Sequence, residues 1–483
     1  MAVETLIGID IGTTSVKAVM IGLDGTRVAA TTAAYPTRHP APGEVEQNPG
    51  DWLALVRDAL ARFAAVPEGC LVRAIGLTSQ VNTHVFVAAD RQVLHPALVW
   101  QDGRAAAAGA ALDGAISAAD KIAWLGAMFP IDASHALARM AWMAAAHPGH
   151  WARTAHVLLP KDYVLAALTG KIVTDPISAV GLVGADRRYA APLIARLPGA
   201  QARLAALADP LAVVGRVRAG EPLAGVPVVL GTMDAVASMF GLGVAAEGQA
   251  MYLSGTSEVL GLIARAVVPE PGVITFPEWA GITLHAGPTQ AGGASLAWLA
   301  RLLGQDGAGL AEAAAAITAQ SPLFLPHLQG ERAPLWDAQA RGTFAGLTSA
   351  SGPAELTAAV MEGVAFSARL VLGALERSAG QVSGLLHCGG GGAASDRWCQ
   401  IRADVLGRPL RRMRGRDPGA VGAAVMAGVG CGAIPDLAAA AGRLVQIDRS
   451  FQPDPAAARL ADARFAIWQQ LYRQVRPINA ALA

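Results

Sequence analysis

The stretch that most limits what this chain can fold into runs Leu6-Ile7-Gly8-Ile9-Asp10-Ile11-Gly12-Thr13-Thr14-Ser15-Val16-Lys17-Ala18-Val19-Met20. Two apolar, β-branched runs flank a turn of small residues, which predicts strand, tight turn, strand. Gly12 permits a turn geometry that other residues resist. The hairpin sets the Asp10 carboxylate beside backbone N–H groups and the hydroxyls of Thr13 and Thr14. Such a turn can hold phosphate oxygens, and the carboxylate can hold Mg²⁺ or its waters. No GxxxxGK[ST] follows, so this is not a strand-to-helix phosphate loop. Alone, the pattern also fits an ordinary β-turn.

Its weight comes from recurrence. Gln249-Ala250-Met251-Tyr252-Leu253-Ser254-Gly255-Thr256-Ser257-Glu258-Val259-Leu260-Gly261-Leu262-Ile263 again runs a strand into a Gly-Thr-Ser turn and out into a second strand. Two phosphate-type hairpins half a chain apart predict two related lobes facing a cleft. The alternative is chance repetition in a Gly- and Ala-rich chain. The length, 483 residues, also calls for two domains rather than one core.

Composition removes several function classes. With 38 basic and 37 acidic residues, the chain offers no charge excess to draw a nucleic acid or an anionic membrane. The basic run Arg408 to Arg416 reads as solvated surface. Cys70, Cys388, Cys399 and Cys431 form no CxxC, which predicts free thiols in a reducing cytoplasm. The N-terminus enters a strand at once, so no targeting segment is expected. The apolar stretch Ala420 to Ile434 is short and Gly-rich and reads as a buried helix, not a membrane span. The histidines lack HExxH or comparable spacing, so a His-built metal site is not expected.

Several other segments carry possible chemistry. Ala74 to Val87 reads as a strand, the polar loop Ser79-Gln80-Val81-Asn82-Thr83, and a further strand beyond His84. A polar loop at the end of a core strand is a usual ligand position in α/β folds. Gly43 to Trp52 is a polar loop entering a helix, with Trp52, Leu55, Val56 and Leu60 on its buried face. In Leu98-Val99-Trp100-Gln101-Asp102-Gly103-Arg104, Trp100 offers a flat apolar face. Asp102 and Arg104 either meet hydroxyls or pair with each other at a helix start. From Ala105 to His147 the pattern is helical. Val226 to Gly241 reads as a core strand, a Gly turn and a helix with Asp234 in its first turn, where the helix N-terminus favours an anion. By itself Asp234 fits an N-cap equally well.

Gln290 to Leu299 is a Gly turn entering a helix, whose free N–H groups around Gly293 would suit an anion. Near the C-terminus, Leu385 to Asp396 carries four glycines between a strand and a helix. That turn lets backbone approach a flat ligand, unless it is simply a loose loop.

In this order, over essentially the whole length, the segments resemble the FGGY family of carbohydrate kinases, of the actin/Hsp70/hexokinase-like superfamily, and within it most of all the xylulokinases. Leu158 to Tyr163 resembles the first FGGY signature, with Thr174, Asp175, Ser178 and Ala179 continuing the pattern. Lys161 and Asp175 read as mainly structural. Leu323 to Asp337 and Gly342 to Glu362 resemble the later signatures, and the helix Glu355 to Arg377 reads as core.

The resemblance implies an α/β fold of two ribonuclease-H-like domains, of the actin/hexokinase-like ATPase type, facing a central cleft. Residues 1–244 would bind the sugar and hold the base, and residues 245–483 would bind the nucleotide. The activity implied is ATP-dependent phosphorylation of a small sugar, foremost D-xylulose at O5. Asp234 would be the general base, and Asp10 would organise Mg²⁺ through bound water. Gly12, Thr13, Thr14, Gly255 and Thr256 would cradle phosphates, with Lys17 reaching a phosphate or solvent. Gly293 would lie by the phosphates, Gly390, Gly391, Gly392, Ala393 and Asp396 by the nucleotide, and Gly419 to Ala424 in the helix closing the nucleotide pocket. Gln80, Val81, Asn82, Trp100, Asp102, Arg104 and Asp234 would meet the sugar.

Three departures stand out. Val81 and Asn82 replace the Met-His of the xylulokinase GQMHG, which leaves other ketopentoses, polyols and sugar acids open. Ala297 stands where relatives often have Gln, and Asn48 where they have Asp. Beyond the sugar no macromolecular partner is implied, although a homodimer is compatible. A silent sugar- or nucleotide-sensing protein and a sugar-independent ATPase are the alternatives from other classes.

Overall fold

The computed structural model describes residues 3–66, 69–126 and 130–482. They form two compact units. The first is Met1–Gly241 with Gly419–Leu444, and the second is Leu242–Pro418 with Val445–Ala483. The segment Gly419–Leu444 thus belongs with the N-terminal half, which a single boundary near residue 244 does not anticipate.

The first unit is built on a six-stranded sheet of β1 (Val3–Ile11), β2 (Ser15–Gly22), β3 (Arg27–Ala34), β4 (Cys70–Ser79), β5 (Val213–Arg216) and β6 (Pro227–Met233), in the order β5-β6-β4-β1-β2-β3. β1, β4 and β6 are parallel, while β2 and β3 run antiparallel from β1 outward and β5 antiparallel to β6. Period-2 alternation divides the apolar strands between two faces. One face buries Ile7, Ile9, Ile11, Ile75, Leu77, Val228 and Leu230 with Trp52, Val56 and Leu60 of the helix Pro49–Ala64 and with Val164, Leu165 and Leu168 of the helix Pro160–Thr169. Leu55, expected on that buried face, is only half-buried. The Asn48 side chain caps the first of these helices by accepting from the Gly50 N–H.

The opposite face takes the helix Pro418–Gly430, and glycines set how close it comes. A Cβ on Gly8 would lie 1.8 Å from the Ala420 carbonyl oxygen, and one on Gly76 2.0 Å from that of Ala423. No side chain but hydrogen fits there. Lys161, fully buried, bridges Asp162 and Asp175 at 2.7 and 2.8 Å, and Asp175 accepts from the Thr232 hydroxyl at 2.8 Å. These residues brace β6, in keeping with their structural reading. The helical pattern expected from Ala105 to His147 is broken into Ala106–Gly114, Ala118–Leu125 and Ala136–Ala146, and its stretch 127–129 lies outside the described residues.

The second unit repeats the plan. Its seven strands are β7 (Ala250–Ser254), β8 (Glu258–Ile263), β9 (Ile274–Thr275), β10 (Leu284–Pro288), β11 (Leu386–Gly389), β12 (Leu410–Met413) and β13 (Ile447–Phe451), in the order β9-β10-β8-β7-β11-β12-β13. β7, β11 and β12 are parallel, with β8 and β10 antiparallel on one side and β13 antiparallel on the other. From β13 to β10 this is the first unit's sequence of directions, strand for strand. The helices Pro353–Ala379 and Asp396–Leu406 bury Leu372, Leu375, Cys399 and Leu406 against it. The helix Pro353–Ala379 is long and apolar enough to cross a membrane by length and composition, and 83% of its most apolar window is buried inside the protein. All four cysteines are free thiols.

Candidate active site

In the first unit, strand register brings the predicted groups to one end of the sheet. Asp10 on β1 pairs with Lys17 across the hairpin and with Thr78 on β4, and Thr78 pairs with Thr232 on β6. These four residues therefore form one row across neighbouring strands, at the carboxyl ends of the three parallel ones. That end is where open α/β sheets place ligands. The Thr78 hydroxyl donates to the Thr232 carbonyl at 2.6 Å, which fixes the row. Asp234 follows Thr232 by two residues and opens the helix Asp234–Gly241.

Asp234 is partly buried, and its carboxylate accepts from the Ala235 N–H at 2.8 Å. Burial pushes its carboxyl up from 3.8 to about 6, against the opposing pull of backbone N–H groups and of the Lys17 ammonium. Asp10, 8% exposed, lies at the start of the helix Pro418–Gly430. A Cβ on Gly419 would come within 2.6 Å of its carboxylate oxygen. Gly419 is therefore needed for Asp10 to occupy its place. The sequence reading gave the segment Gly419 to Ala424 to the nucleotide pocket, and the structure sets it against Asp10 and the first unit's sheet.

The turn Gly12–Ser15 is closed by the Gly12 N–H on the Ser15 carbonyl at 3.1 Å. The Tyr35 hydroxyl donates to the Gly12 carbonyl, and burial with the nearby Asp10 charge raises the Tyr35 phenol well above its ordinary range. A closed ring of hydrogen bonds then joins this turn to the polar loop. The Trp100 indole donates to the Thr13 hydroxyl at 3.1 Å, and the Trp100 N–H donates to the Thr83 hydroxyl at 3.1 Å. Thr83 donates to the Gln80 amide oxygen, Gln80 donates to Gln47 at 2.9 Å, and Gln47 donates to the Thr13 carbonyl at 2.7 Å. Buried amides need such partners, and here each supplies the other's. Gln47 and Thr83 were not singled out by sequence. Each sits in a quoted segment, yet nothing in the pattern shows that two glutamines 33 positions apart would meet.

Val81 and Asn82 project from this loop, both half-buried, with Asn82 in the left-handed region at φ 55°. Asparagine tolerates that conformation better than most residues. Its amide lies 3.4 Å from the Ser134 hydroxyl. Asp102 and Arg104 are brought to each other. Arg104 reaches the Asp102 carboxylate at 2.8–2.9 Å and Glu46 at 2.9 Å, and Asp102 also accepts from the Val45 N–H. Of the two readings open from sequence, the ion pair is the one the structure displays. His84, read as a strand residue, is buried and hydrogen-bonds Leu98 through its backbone; burial and the neighbouring Arg139 push its imidazole well below the ordinary value.

In the second unit, the turn Gly255–Ser257 is closed by the Gly255 N–H on the Ser257 carbonyl at 2.9 Å, matching the first hairpin. The N–H groups of Gly293 and Ala294 were expected to be free. They donate instead to the carbonyls of Gly255 and Thr256 at 2.9 and 3.0 Å, so the helix Gly293–Leu303 clamps the turn. The cause is the tight approach at Gly292, where a Cβ would meet the Thr256 oxygen at 2.7 Å.

The glycine turn after β11 packs on the same hairpin. Gly390 has φ 91°, and Cβ atoms on Gly390 and Gly392 would collide with the Ser254 carbonyl and hydroxyl at 2.4 and 2.3 Å. Gly391 and Ala393 complete a 3-10 turn, Gly391–Ala393. Beneath it Arg402, fully buried, donates to Gly392 O at 2.8 Å, Ser254 Oγ at 2.7 Å and Glu258 Oε1 at 2.7 Å. Burial raises the Glu258 carboxyl while Arg402 opposes the rise. The loose-loop reading is thus replaced by a braced turn. Asp396, first residue of its helix, is paired with Arg412 and Arg449.

The chemistry of these groups fits Mg²⁺ held sparingly. Among the described residues no three His, Cys, Asp or Glu side chains are grouped to hold a metal. Mg²⁺ commonly keeps several waters and takes one or two carboxylates plus phosphate oxygens, which Asp10 beside a phosphate-type turn matches.

Comparison with known proteins agrees over the whole chain. Models of the FGGY family of carbohydrate kinases match it, the N-terminal domain at residues 5–241 and the C-terminal domain at residues 250–431. The xylulose kinase of Klebsiella pneumoniae is 31% identical, over 98% of this chain and 99% of its own. A glycerol kinase of Aromatoleum aromaticum is also 31% identical, over 99% of each. The crystal structure of a xylulose kinase from Rhodospirillum rubrum superimposes with a TM-score of 0.86 at 27% identity, covering 99% of this chain and 100% of that one. The fold is that of the actin/hexokinase-like ATPases, as the repeated ribonuclease-H-like sheets require.

Proposed function

Because the chain belongs to the FGGY family of carbohydrate kinases and is an ATP-dependent carbohydrate kinase, we propose that its acceptor is D-xylulose, phosphorylated at O5. The observation that carries the catalytic part is Asp234 just past the end of β6, with its carboxyl pushed up to about 6 by burial. A general base works best with a pKa near the working pH, so that it is largely ionised yet still basic. Asp234 accepts the hydroxyl proton as that oxygen attacks the γ-phosphate. Phosphoryl transfer asks mainly for position and charge neutralisation.

The first unit is assigned the sugar and the base, and the second the nucleotide. Val81, Asn82 and Trp100 meet the sugar, while Gln80 and the Asp102–Arg104 pair shape the floor beneath it. Thr13, Thr14 and Thr256, with the N–H groups around Gly12 and Gly255, receive phosphate oxygens, and Lys17 adds a positive charge. Gly390, Gly391, Gly392 and Ala393 offer backbone to the adenosine, and Asp396 lies at the edge of that turn. Mg²⁺ is assigned to Asp10 through bound water, where it would neutralise phosphate charge. The free thiols favour a cytoplasmic setting.

D-xylulose is put first because xylulose kinases of two organisms match at 30–31% identity over nearly the full chain; the equally similar glycerol kinase and the Val81-Asn82 substitution keep other ketopentoses, polyols and sugar acids as the second reading. The test is ADP release from Mg·ATP across such a panel, with Asp234→Ala alongside. Stimulation by D-xylulose above all others, lost in the variant while ATP still binds, supports the assignment. Stronger stimulation by another acceptor transfers the substrate to that compound. No stimulation by any acceptor, with Asp234→Ala unchanged, overturns the base assignment.

A further inference from the structure

Arg139, on the helix Ala136–Ala146, is 0% exposed. Among the described residues no carboxylate hydrogen-bonds to its guanidinium. It donates instead to four backbone carbonyls: Asn82, Leu98, Val99 at 2.6 Å and Ala133 at 3.1 Å. The His84 imidazole adds a further contact at 3.2 Å. Burial lowers the guanidinium pKa to about 10, with Asp102 and Asp132 opposing. An arginine kept in such a place is costly unless its donors are satisfied, and a planar fork with five N–H groups is the side chain that can satisfy several carbonyls at once.

Those carbonyls belong to three separate segments, two of which hold a group at the proposed sugar site and the third a neighbour of Asn82. Asn82 is the left-handed residue standing in the place of the xylulokinase His. Leu98 and Val99 lead into Trp100, whose indole touches Thr13. Ala133 precedes Ser134, whose hydroxyl faces the Asn82 amide at 3.4 Å. Because Arg139 is buried, it does not itself meet a ligand.

We propose that Arg139 is the positioning residue that sets acceptor-sugar selectivity, by holding the Asn82, Trp100 and Ser134 loops in one fixed relation. The proposal rests on the sugar site assigned above to the first unit. Lysine at this position keeps the charge but has one nitrogen, with no fork to span three loops. Its replacement would loosen the relation between Asn82 and Trp100 and leave the second unit's turns as they are.

The test compares the parent with Arg139→Lys on at least two acceptors that the parent phosphorylates, measuring KM and kcat for each sugar and for ATP. A melting curve confirms that the variant is folded. The expected result is a sugar KM raised about tenfold or more, a changed ratio of kcat/KM between the two acceptors, and an ATP KM within about twofold of the parent. A folded R139K with an unchanged ratio between acceptors overturns the proposal and leaves Arg139 a packing residue. Should R139K not accumulate as folded protein, Ser134→Ala decides. It removes the tie between the third loop and the Asn82 amide, together with an exposed hydrogen bond to Asp132 within that same loop, and an unchanged selectivity there overturns the proposal too. The parent's own preference among acceptors reports on the substrate reading, whereas the change in ratio reports on Arg139, so the two fail separately.

Discussion

The indole Nε1 of Trp100 donates to the hydroxyl of Thr13 at 3.1 Å, tying the segment assigned to the sugar to the turn assigned to phosphate. Trp100→Phe keeps an aromatic ring and removes the donor. A hydrogen bond of this kind contributes about 1 kcal/mol, so catalytic efficiency with the sugar should fall roughly fivefold to tenfold. Steady-state kinetics with saturating ATP would show it. Unchanged efficiency would mean that the Thr13 hydroxyl needs no such partner.

Asp234→Asn keeps the size of the side chain and removes its basicity. Turnover should drop about 10²–10⁴-fold while ATP binding persists, the range general-base catalysis contributes. In the parent, kcat/KM should rise with pH until about 6 and then level, because the base must be ionised. A residual activity in D234N with the same limb near 6 would assign that limb to another group.

The same residue makes a stability prediction of opposite sign. The Asp234 carboxyl titrates near 6 in the folded protein, against 3.8 for the unperturbed group. The folded state therefore binds the proton more tightly, and ionisation costs it stability as pH rises from about 4 to 6, fully so above 6. That cost is up to about 3 kcal/mol. D234N should melt higher than the parent at about pH 8, and the gap should close towards pH 4. A gap independent of pH would reject the raised pKa.

Arg402 braces the second unit's glycine turn through Gly392 and neutralises buried Glu258. Arg402→Lys retains the charge but loses the fork that reaches Gly392, Ser254 and Glu258 together. The KM for ATP should rise about tenfold with the sugar KM unchanged. Arg402→Met strands a buried carboxylate and should cost about 3–5 kcal/mol in urea unfolding. Equal effects of R402K on both substrates would argue against a local role at the turn assigned to the nucleotide.

What was legible in the sequence follows from what is local. The hairpins around Gly12 and Gly255 announce themselves because β-branched runs and small-residue turns specify backbone directly. Asp234 was placed at a helix start for the same reason. The braces were not legible. Arg139 and Arg402 look like ordinary helix arginines, and only tertiary packing reveals that each one serves carbonyls from distant segments. Gln47 and Gln80 likewise become partners only when the short strand Glu46–Gln47 is brought to the loop that follows β4. The N–H groups of Gly293 and Ala294 seemed free because a helix N-terminus has no internal partner for them; a turn 38 residues earlier in the chain supplies one.

The helix Pro418–Gly430, wedged on the face of the first sheet by Gly8 and Gly76, has a consequence for biosynthesis. The ribosome completes all six strands of that sheet by Met233, yet the helix that covers their second face is not made until nearly two hundred residues later. Until then the nascent N-terminal half presents an apolar surface with glycine notches and nothing to fill them. Independent, strictly sequential folding of the two halves during translation is therefore closed to this chain. A fragment ending at Gly241 should be recovered bound to chaperones or as aggregate, and supplying a segment that contains Gly419–Leu444 in trans should rescue it.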